Sequence, residues 1–210
     1  MKPETFQVLA LYAALAGTFS SPAQVTFTQI TNAPIATDTG SFLGCAWGDY
    51  RNSGFQDLVV CNSPGTNAYY QNNGDGTFTR ITQGNPVQDL NHHLGGVVGD
   101  YNNDGHLDLF ISVAAFSTTP SYNQLFQNNG DGTFASVSGG VLTNQLGHFG
   151  PPSWADYDND GFLDLFVPFH GVNNSNGDTN LLYHNNGDGT FSLVTSSAVT
   201  TWIRRIAGTI

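Results

Sequence analysis

The sequence is poor in charge and poorest in cations. Only five of its 210 residues are Lys or Arg, against sixteen Asp and Glu, for a net charge of −11. So few cations cannot neutralise a phosphate backbone, which excludes nucleic acid as a partner. Lysine occurs once, at Lys2, and the four arginines (Arg51, Arg80, Arg204 and Arg205) form no set that could clasp a carboxylate substrate. Glutamate also occurs once, at Glu4, and charged residues make up only 10% of the chain. Surface helices normally carry more charge than this. The 25 glycines and 12% aromatics instead suit many short strands joined by tight turns. The two cysteines, Cys45 and Cys61, allow at most one bridge. After the N-terminal segment no apolar run is long enough to cross a bilayer.

Residues 1–23 read as an export signal. Lys2 precedes a mostly apolar Phe6–Phe19, and Ser21-Pro22-Ala23 offers small residues at −3 and −1. A buried N-terminal helix is the alternative. On the export reading the mature chain starts near Gln24 and works outside the cytoplasm, in the medium, at the cell surface or in the periplasm.

Twelve of the sixteen acids fall in two motifs that recur, counting Asp57, Asp108 and Asp164, which follow the three copies of the second. The acidity is therefore local and ordered, not a solvated tail. Asn72-Asn73-Gly74-Asp75-Gly76-Thr77-Phe78 returns as Asn128–Phe134 and Asn185–Phe191. Asp49-Tyr50-Arg51-Asn52-Ser53-Gly54 returns as Asp100–Gly105 and Asp156–Gly161. A phenylalanine stands 22 residues before each first aspartate, at Phe27, Phe78 and Phe134. Such strict phase over about 50 residues marks a repeat architecture.

Each unit reads as four strands, a to d. In the second unit they run roughly Leu94–Gly99, Leu107–Val113, Asn123–Asn128 and Thr133–Val137. The b strands are almost continuously apolar after their aspartate, so both faces should be covered. Stacked four-stranded units are β-propeller blades; a β-sandwich or β-helix fits the period less well. The expected fold is all-β, with three complete repeats in residues 24–210, centred on 49–82, 100–138 and 156–195, plus partial ones: a lone d strand around Phe27 and a lone a strand in Thr201–Ile210. Counting 22 residues on from Phe191 puts a fourth loop beyond Ile210. The blades are thus expected to belong to a longer chain or to assemble with other copies.

With both motifs in register three times, the unit resembles the FG-GAP or VCBS-type repeat, also seen in the propeller of integrin α subunits. The resemblance covers essentially all of residues 24–210 and implies a propeller with calcium loops between strands a and b.

The loop chemistry can be argued from the residues themselves. Calcium takes six to eight hard oxygens at loose geometry, and positions 1, 3 and 5 of a tight loop supply them. In the second unit these are Asp100, Asn102 and Asp104, with the His106 carbonyl and Asp108 completing the shell. In the third they are Asp156, Asp158 and Asp160, with the Phe162 carbonyl and Asp164. An EF-hand would need glutamate at position 12, where Ile111 and Val167 stand. About two structural calcium ions are expected. The first loop is degenerate, keeping Asp49 and Asp57 but carrying Arg51 and Ser53 at positions 3 and 5. The Arg51 guanidinium is expected to fill the place of the metal and pair with both aspartates.

Asn-Gly-Asp-Gly-Thr-Phe reads as a tight c–d hairpin and resembles the Asp-box of sialidase propellers. Asp75, Asp131 and Asp188 are therefore structural, and no catalytic constellation is evident. The dissimilar b–c and d–a loops lie at the opposite end and form a candidate ligand face with His92, His93, Phe116, Tyr122, His148, Phe149 and His170. Its partner would be an extracellular protein or a glycan. If Asp49 faces Asp57 across the a–b hairpin, Cys45 faces Cys61, and the sequence leaves open whether they are bonded. Two functions fit: a non-enzymatic, calcium-stabilised binding or adhesion module, and the propeller portion of a secreted carbohydrate-active enzyme (polysaccharide lyase-like) or a lectin.

Overall fold

Among the described residues twelve strands follow one another in pairing order. The structure, a computed structural model, describes residues 26–113, 122–169 and 180–195. The first blade holds β1 (Phe42–Gly48), β2 (Asp57–Asn62), β3 (Ala68–Asn72) and β4 (Phe78–Ile81). The second holds β5 (His93–Gly99), β6 (Asp108–Val113), β7 (Gln124–Asn128) and β8 (Phe134–Val137). The third holds β9 (Ser153–Ala155), β10 (Asp164–Val167), β11 (Leu181–Asn185) and β12 (Phe191–Leu193). Each blade is a four-stranded sheet in which sequence neighbours pair, antiparallel throughout. The all-β, blade-built fold expected from the repeat is the one found.

The chain divides into two compact units, Met1–Ile30 and Thr31–Ile210. In the first, residues 26–30 form neither strand nor helix. The partial d strand expected around Phe27 is thus not formed over 26–30. The expected export signal and the partial strand of 201–210 lie outside the described residues.

Within Thr31–Ile210 the blades stack face to face, and side-chain alternation decides which face each residue serves. In β6, Leu109 and Ile111 enter a core shared with Val59, Cys61 and Tyr69 of the first blade. Phe110 points the other way, into a core with Leu165, Val167 and Tyr183 of the third. Every residue of β6 is consequently buried. Each such apolar side chain contributes about 1.5–3 kcal/mol of burial free energy.

The remaining face of the first blade, with Leu58, Ala68 and Tyr70, is covered by Ile35. Ile35 belongs to a single helical turn, α1 (Pro34–Thr37), started by the fixed φ of Pro34. Asp38, just after the turn, accepts a hydrogen bond from Tyr70 Oη at 2.5 Å and an ion pair from Arg80 at 2.9 Å.

The expected alignment of Cys45 with Cys61 does not occur. Asp57 pairs with Gly48, one residue short of Asp49, so Cys45 lies opposite Val60 and Cys61 opposite Gly44. One residue of register moves a side chain to the other face of the sheet. Cys61 is buried against the second blade, where its Sγ is 3.3 Å from the position a Gly96 Cβ would take, and Cys45 is exposed. Both thiols are free, and burial, with a smaller contribution from Cys45, pushes the Cys61 thiol up to about 12.

Candidate metal centre

The three a–b loops share one backbone design. The first aspartate of each accepts two amides from the far side of its turn. For Asp100 these are Asp104 N at 3.0 Å and Gly105 N at 2.9 Å. For Asp156 they are Asp160 N at 3.1 Å and Gly161 N at 3.0 Å, and for Asp49 they are Ser53 N at 2.8 Å and Gly54 N at 2.6 Å. Positions 4 and 6 take the left-handed backbone, as at Asn103 (φ 57°) and Gly105 (φ 87°). Asparagine and glycine tolerate that conformation. The turn thereby gathers the side chains of positions 1, 3, 5 and 9.

In the third loop the convergence is complete. Carboxylate oxygens of Asp156, Asp158 and Asp164 lie within 4.8 Å of one another, as do ligand atoms of Asp158, Asp160 and His184. In the second loop Asp104 is held by the amide of His106 at 2.9 Å and by Asn102 Nδ2 at 2.9 Å.

The closing aspartate is the buried member of each set. Asp57, Asp108 and Asp164 are all at most 1% exposed. Each accepts an amide from the last residue of strand c, with Asn128 N to Asp108 Oδ1 at 2.9 Å as the example. The side chains beside them differ. Arg51 reaches Asp57 through Nη2 at 3.0 Å and Nε at 3.3 Å. His184 Nδ1 stands 3.3 Å from Asp164 Oδ1. Asp108 has no cationic side chain paired to it among the described residues. Burial, reinforced by Asp104 and Asp100 and opposed by the amides of Asn128 and Tyr101, pushes its carboxyl up to about 7.

Arg51 departs from expectation in one respect. It pairs with Asp57 but not with Asp49, and its Nη2 goes instead to the Asn72 carbonyl at 2.7 Å. The turn amides already satisfy Asp49: burial raises its pKa, but the bonds from Ser53 and Gly54 outweigh that and hold it below the carboxylate norm.

The c–d hairpins lie against these loops. A Cβ on Gly130 would come within 2.6 Å of the His106 ring, and one on Gly187 within 2.8 Å of Phe162. Position 7 of each metal loop therefore covers the first glycine of the neighbouring hairpin, so the two motifs recur together. The hairpin aspartates serve the turn. Asp131 accepts Thr133 N at 2.9 Å and Thr133 Oγ1 at 2.6 Å, and Asp75 and Asp188 do the same.

Most of the candidate ligand face is differently employed. His93 and Phe149 are fully buried. His93 places Nδ1 3.1 Å from the Asn62 carbonyl and Nε2 3.4 Å from Asp89, while Phe149 packs against Phe169 at 5.2 Å with the rings tilted by 34°. His148 is 8% exposed. These three side chains are packed inside the protein and not presented on its surface. His92 Nδ1 lies 3.2 Å from Ser63 Oγ. Tyr122, 44% exposed, remains available; Phe116 and His170 lie outside the described residues.

Sequence reasoning did not find two connecting devices. Asn128 Nδ2 donates to Tyr50 O of the preceding blade at 2.8 Å, and Asn185 Nδ2 to Tyr101 O at 2.7 Å. Asn52 Nδ2 donates to Gly105 O at 3.3 Å and Asn103 Nδ2 to Gly161 O at 3.1 Å, linking each loop to the next. The recurrence of asparagine at these positions was the available signal. His184 was also passed over, although it aligns with Gln71 and Gln127 on strand c.

Comparison with known proteins agrees with this anatomy. The family model of the FG-GAP-like repeat matches residues 49–111 and 113–167, more than half of the chain. Cartilage acidic protein 1 of Xenopus tropicalis is 32% identical over 133 residues, covering 59% of this chain and 19% of that protein. The chain thus spans about a fifth of the length of this curated relative. A solved structure, described as the basis of specific recognition of non-reducing terminal N-acetylglucosamine by an Agrocybe aegerita lectin, aligns over 75% of this chain and 38% of its own. Its TM-score is 0.46 at 20% identity.

Proposed function

This chain belongs to the FG-GAP-like repeat family, and we propose that it is a secreted, calcium-binding repeat module for extracellular or cell-surface binding. Loops 100–108 and 156–164 each hold one calcium ion, whose role is structural. The observation that carries the reading is Asp108. Its carboxylate is fully buried and lacks the guanidinium that its counterpart Asp57 receives. A buried charge needs a partner, and the oxygen donors of Asp100, Asn102 and Asp104 beside it suit a hard divalent cation. Calcium at that point would bridge the ends of β5 and β6 and fix the turn whose Gly105 carbonyl receives Asn52.

An acidic relative named for cartilage fits a module that works outside the cell, where calcium is abundant. Export would use residues 1–23, and no helix among the described residues is long and apolar enough to cross a membrane. The partner is a protein or glycan met on the face away from the calcium loops.

Isothermal titration of the chelator-stripped protein with calcium tests the reading. Two ions per chain are expected for the wild type and one for Asp108→Asn. A wild type that takes up no calcium in the millimolar range would overturn it.

A further inference from the structure

The two metal loops differ at position 3, Asn102 against Asp158, and in the side chain that reaches them from strand c. On β7, Gln127 approaches the second loop, with its Nε2 3.4 Å from Asp104 Oδ2. At the matching position on β11 the third loop has His184. The imidazole Nδ1 lies 3.3 Å from Asp158 Oδ2 and 3.3 Å from Asp164 Oδ1. It is shielded from solvent and makes no hydrogen bond. On the far side of the ring, Nε2 faces Asp160 Oδ2 at 3.9 Å. Tyr157 meets the ring edge-on at 6.3 Å and 73°.

Two ligands bound at about 2.0–2.1 Å in a tetrahedral shell stand about 3.3 Å apart, which is the edge length of a zinc site. The separations at Nδ1 match that edge. Asp160, 3.9 Å from the outer nitrogen, is beyond hydrogen-bond distance of it and belongs instead to the group of ligand atoms formed with Asp158 and His184. Imidazole nitrogen suits zinc, cobalt, nickel and copper and adds little for calcium, which takes oxygen.

We infer that the third loop is a mixed nitrogen–oxygen site that binds a borderline divalent transition-metal ion, with zinc as the type. His184 Nδ1, Asp158 and Asp164 are its ligands, and Asp156 and Asp160 flank them. The inference rests on the reading of the 156–164 loop as a metal loop and gives that loop a preference different from its all-oxygen neighbour. The chain would then carry one calcium-selective loop and one loop that exchanges calcium for zinc.

The test titrates the full chain, stripped of metal, with Zn2+ and with Co2+, in the wild type and in His184→Gln. Glutamine occupies this place in the other two blades, so the variant keeps a side chain the fold already uses. One Zn2+ is expected to bind the wild type and displace one of two calcium ions. Co2+ is expected to give a visible ligand-field band, and the His184 Nδ1 nitrogen resonance to shift on Zn2+ addition. His184→Gln should weaken Zn2+ by more than about tenfold, the loss that outer partners of a metal ligand already produce, while still taking two calcium ions. Equal Zn2+ affinity in the two proteins, or an unmoved His184 resonance, would overturn the inference and assign the zinc to other histidines. Zinc binding that depends on His184 in a chain that takes no calcium would support it while sinking the calcium reading.

Discussion

At Asp57, Asp108 and Asp164 one buried carboxylate recurs three times, beside a guanidinium in the first loop, among the carboxylates of Asp100 and Asp104 in the second, and beside an imidazole in the third. Its position was legible because strand b opens on it in every repeat. The exchange at Arg51 was half legible: the pairing with Asp57 followed from charge, but the turn amides that already satisfy Asp49 left no trace in residue identity. Asp108 makes the difference measurable. Its folded pKa of about 7 stands above the ordinary 3.8, so the native state binds the extra proton between these values. Stability of the metal-free protein should therefore fall as pH rises from about 4 to about 7. The hairpin carboxylates Asp75, Asp131 and Asp188 are shifted the other way, by the hydroxyl and amide of the following threonine. What they contribute is complete above about pH 4 and does not alter the slope. Melting curves in chelator across this range check the prediction, and millimolar calcium should remove the decline. A flat profile in chelator would show that Asp108 ionises without cost. Arg51→Asp should act in the opposite sense from Asp108→Asn. It leaves Asp57 without its cation and lowers the melting temperature in chelator, yet raises calcium stoichiometry from two to three. A variant still binding two ions would show that Ser53 at position 5 also disables the first loop.

Between elements, the asparagine that closes each c strand does more than shape its hairpin. Asn128 is buried, donates to Tyr50 O and Leu107 O, and accepts from Gly130 N. Asn72 makes the local bonds, to Gln56 O and from Gly74 N, and no bond to a preceding blade. Leaving a buried carbonyl unpaired costs about 1–3 kcal/mol. Asn128→Ala is therefore expected to destabilise by about 3 kcal/mol and Asn72→Ala by about 1 kcal/mol. Urea unfolding of the two variants measures the difference, and equal losses would mean that the bond to Tyr50 contributes nothing between blades. Strand positions could be read closely from the repeat because phase and apolar alternation fix them. The pairing register could not. A shift of one residue between Asp49 and Asp57 depends on the turn backbone, and it sends Cys61 into the interface and Cys45 to solvent. The close approach of inner strands was equally hidden: a Cβ on Gly44 would sit 2.8 Å from Leu94 O of the next blade. Glycine is required there by a neighbour distant in sequence.

Over the whole of Thr31–Ile210, each blade shares its core with the next, so stability is close to a sum of blades and nearest-neighbour interfaces. Calcium would enter that sum at the loops, adding about 2.7 kcal/mol per site at a concentration a hundred times its dissociation constant. The loops are not independent. Asn103 lies between the ligand positions 102 and 104, and its amide reaches the Gly161 carbonyl next to Asp160. An ion that orders the second loop orders the donor of this bond, and one that orders the third orders the acceptor. Whichever fills first spares the other part of its ordering cost, which makes binding cooperative without any change of fold. A hydrogen bond of this kind has a net value of about 1 kcal/mol, equivalent to about a fivefold ratio between coupled and uncoupled stepwise constants. Asn103→Gly isolates the effect, because glycine keeps the left-handed backbone of this position and removes only the amide. Stepwise calcium constants from competition with a chromophoric chelator should show positive coupling in the wild type, reduced about fivefold in Asn103→Gly, with two ions bound in both. Coupling that survives the substitution unchanged would mean that the blades communicate through their shared core instead of the chain of loops.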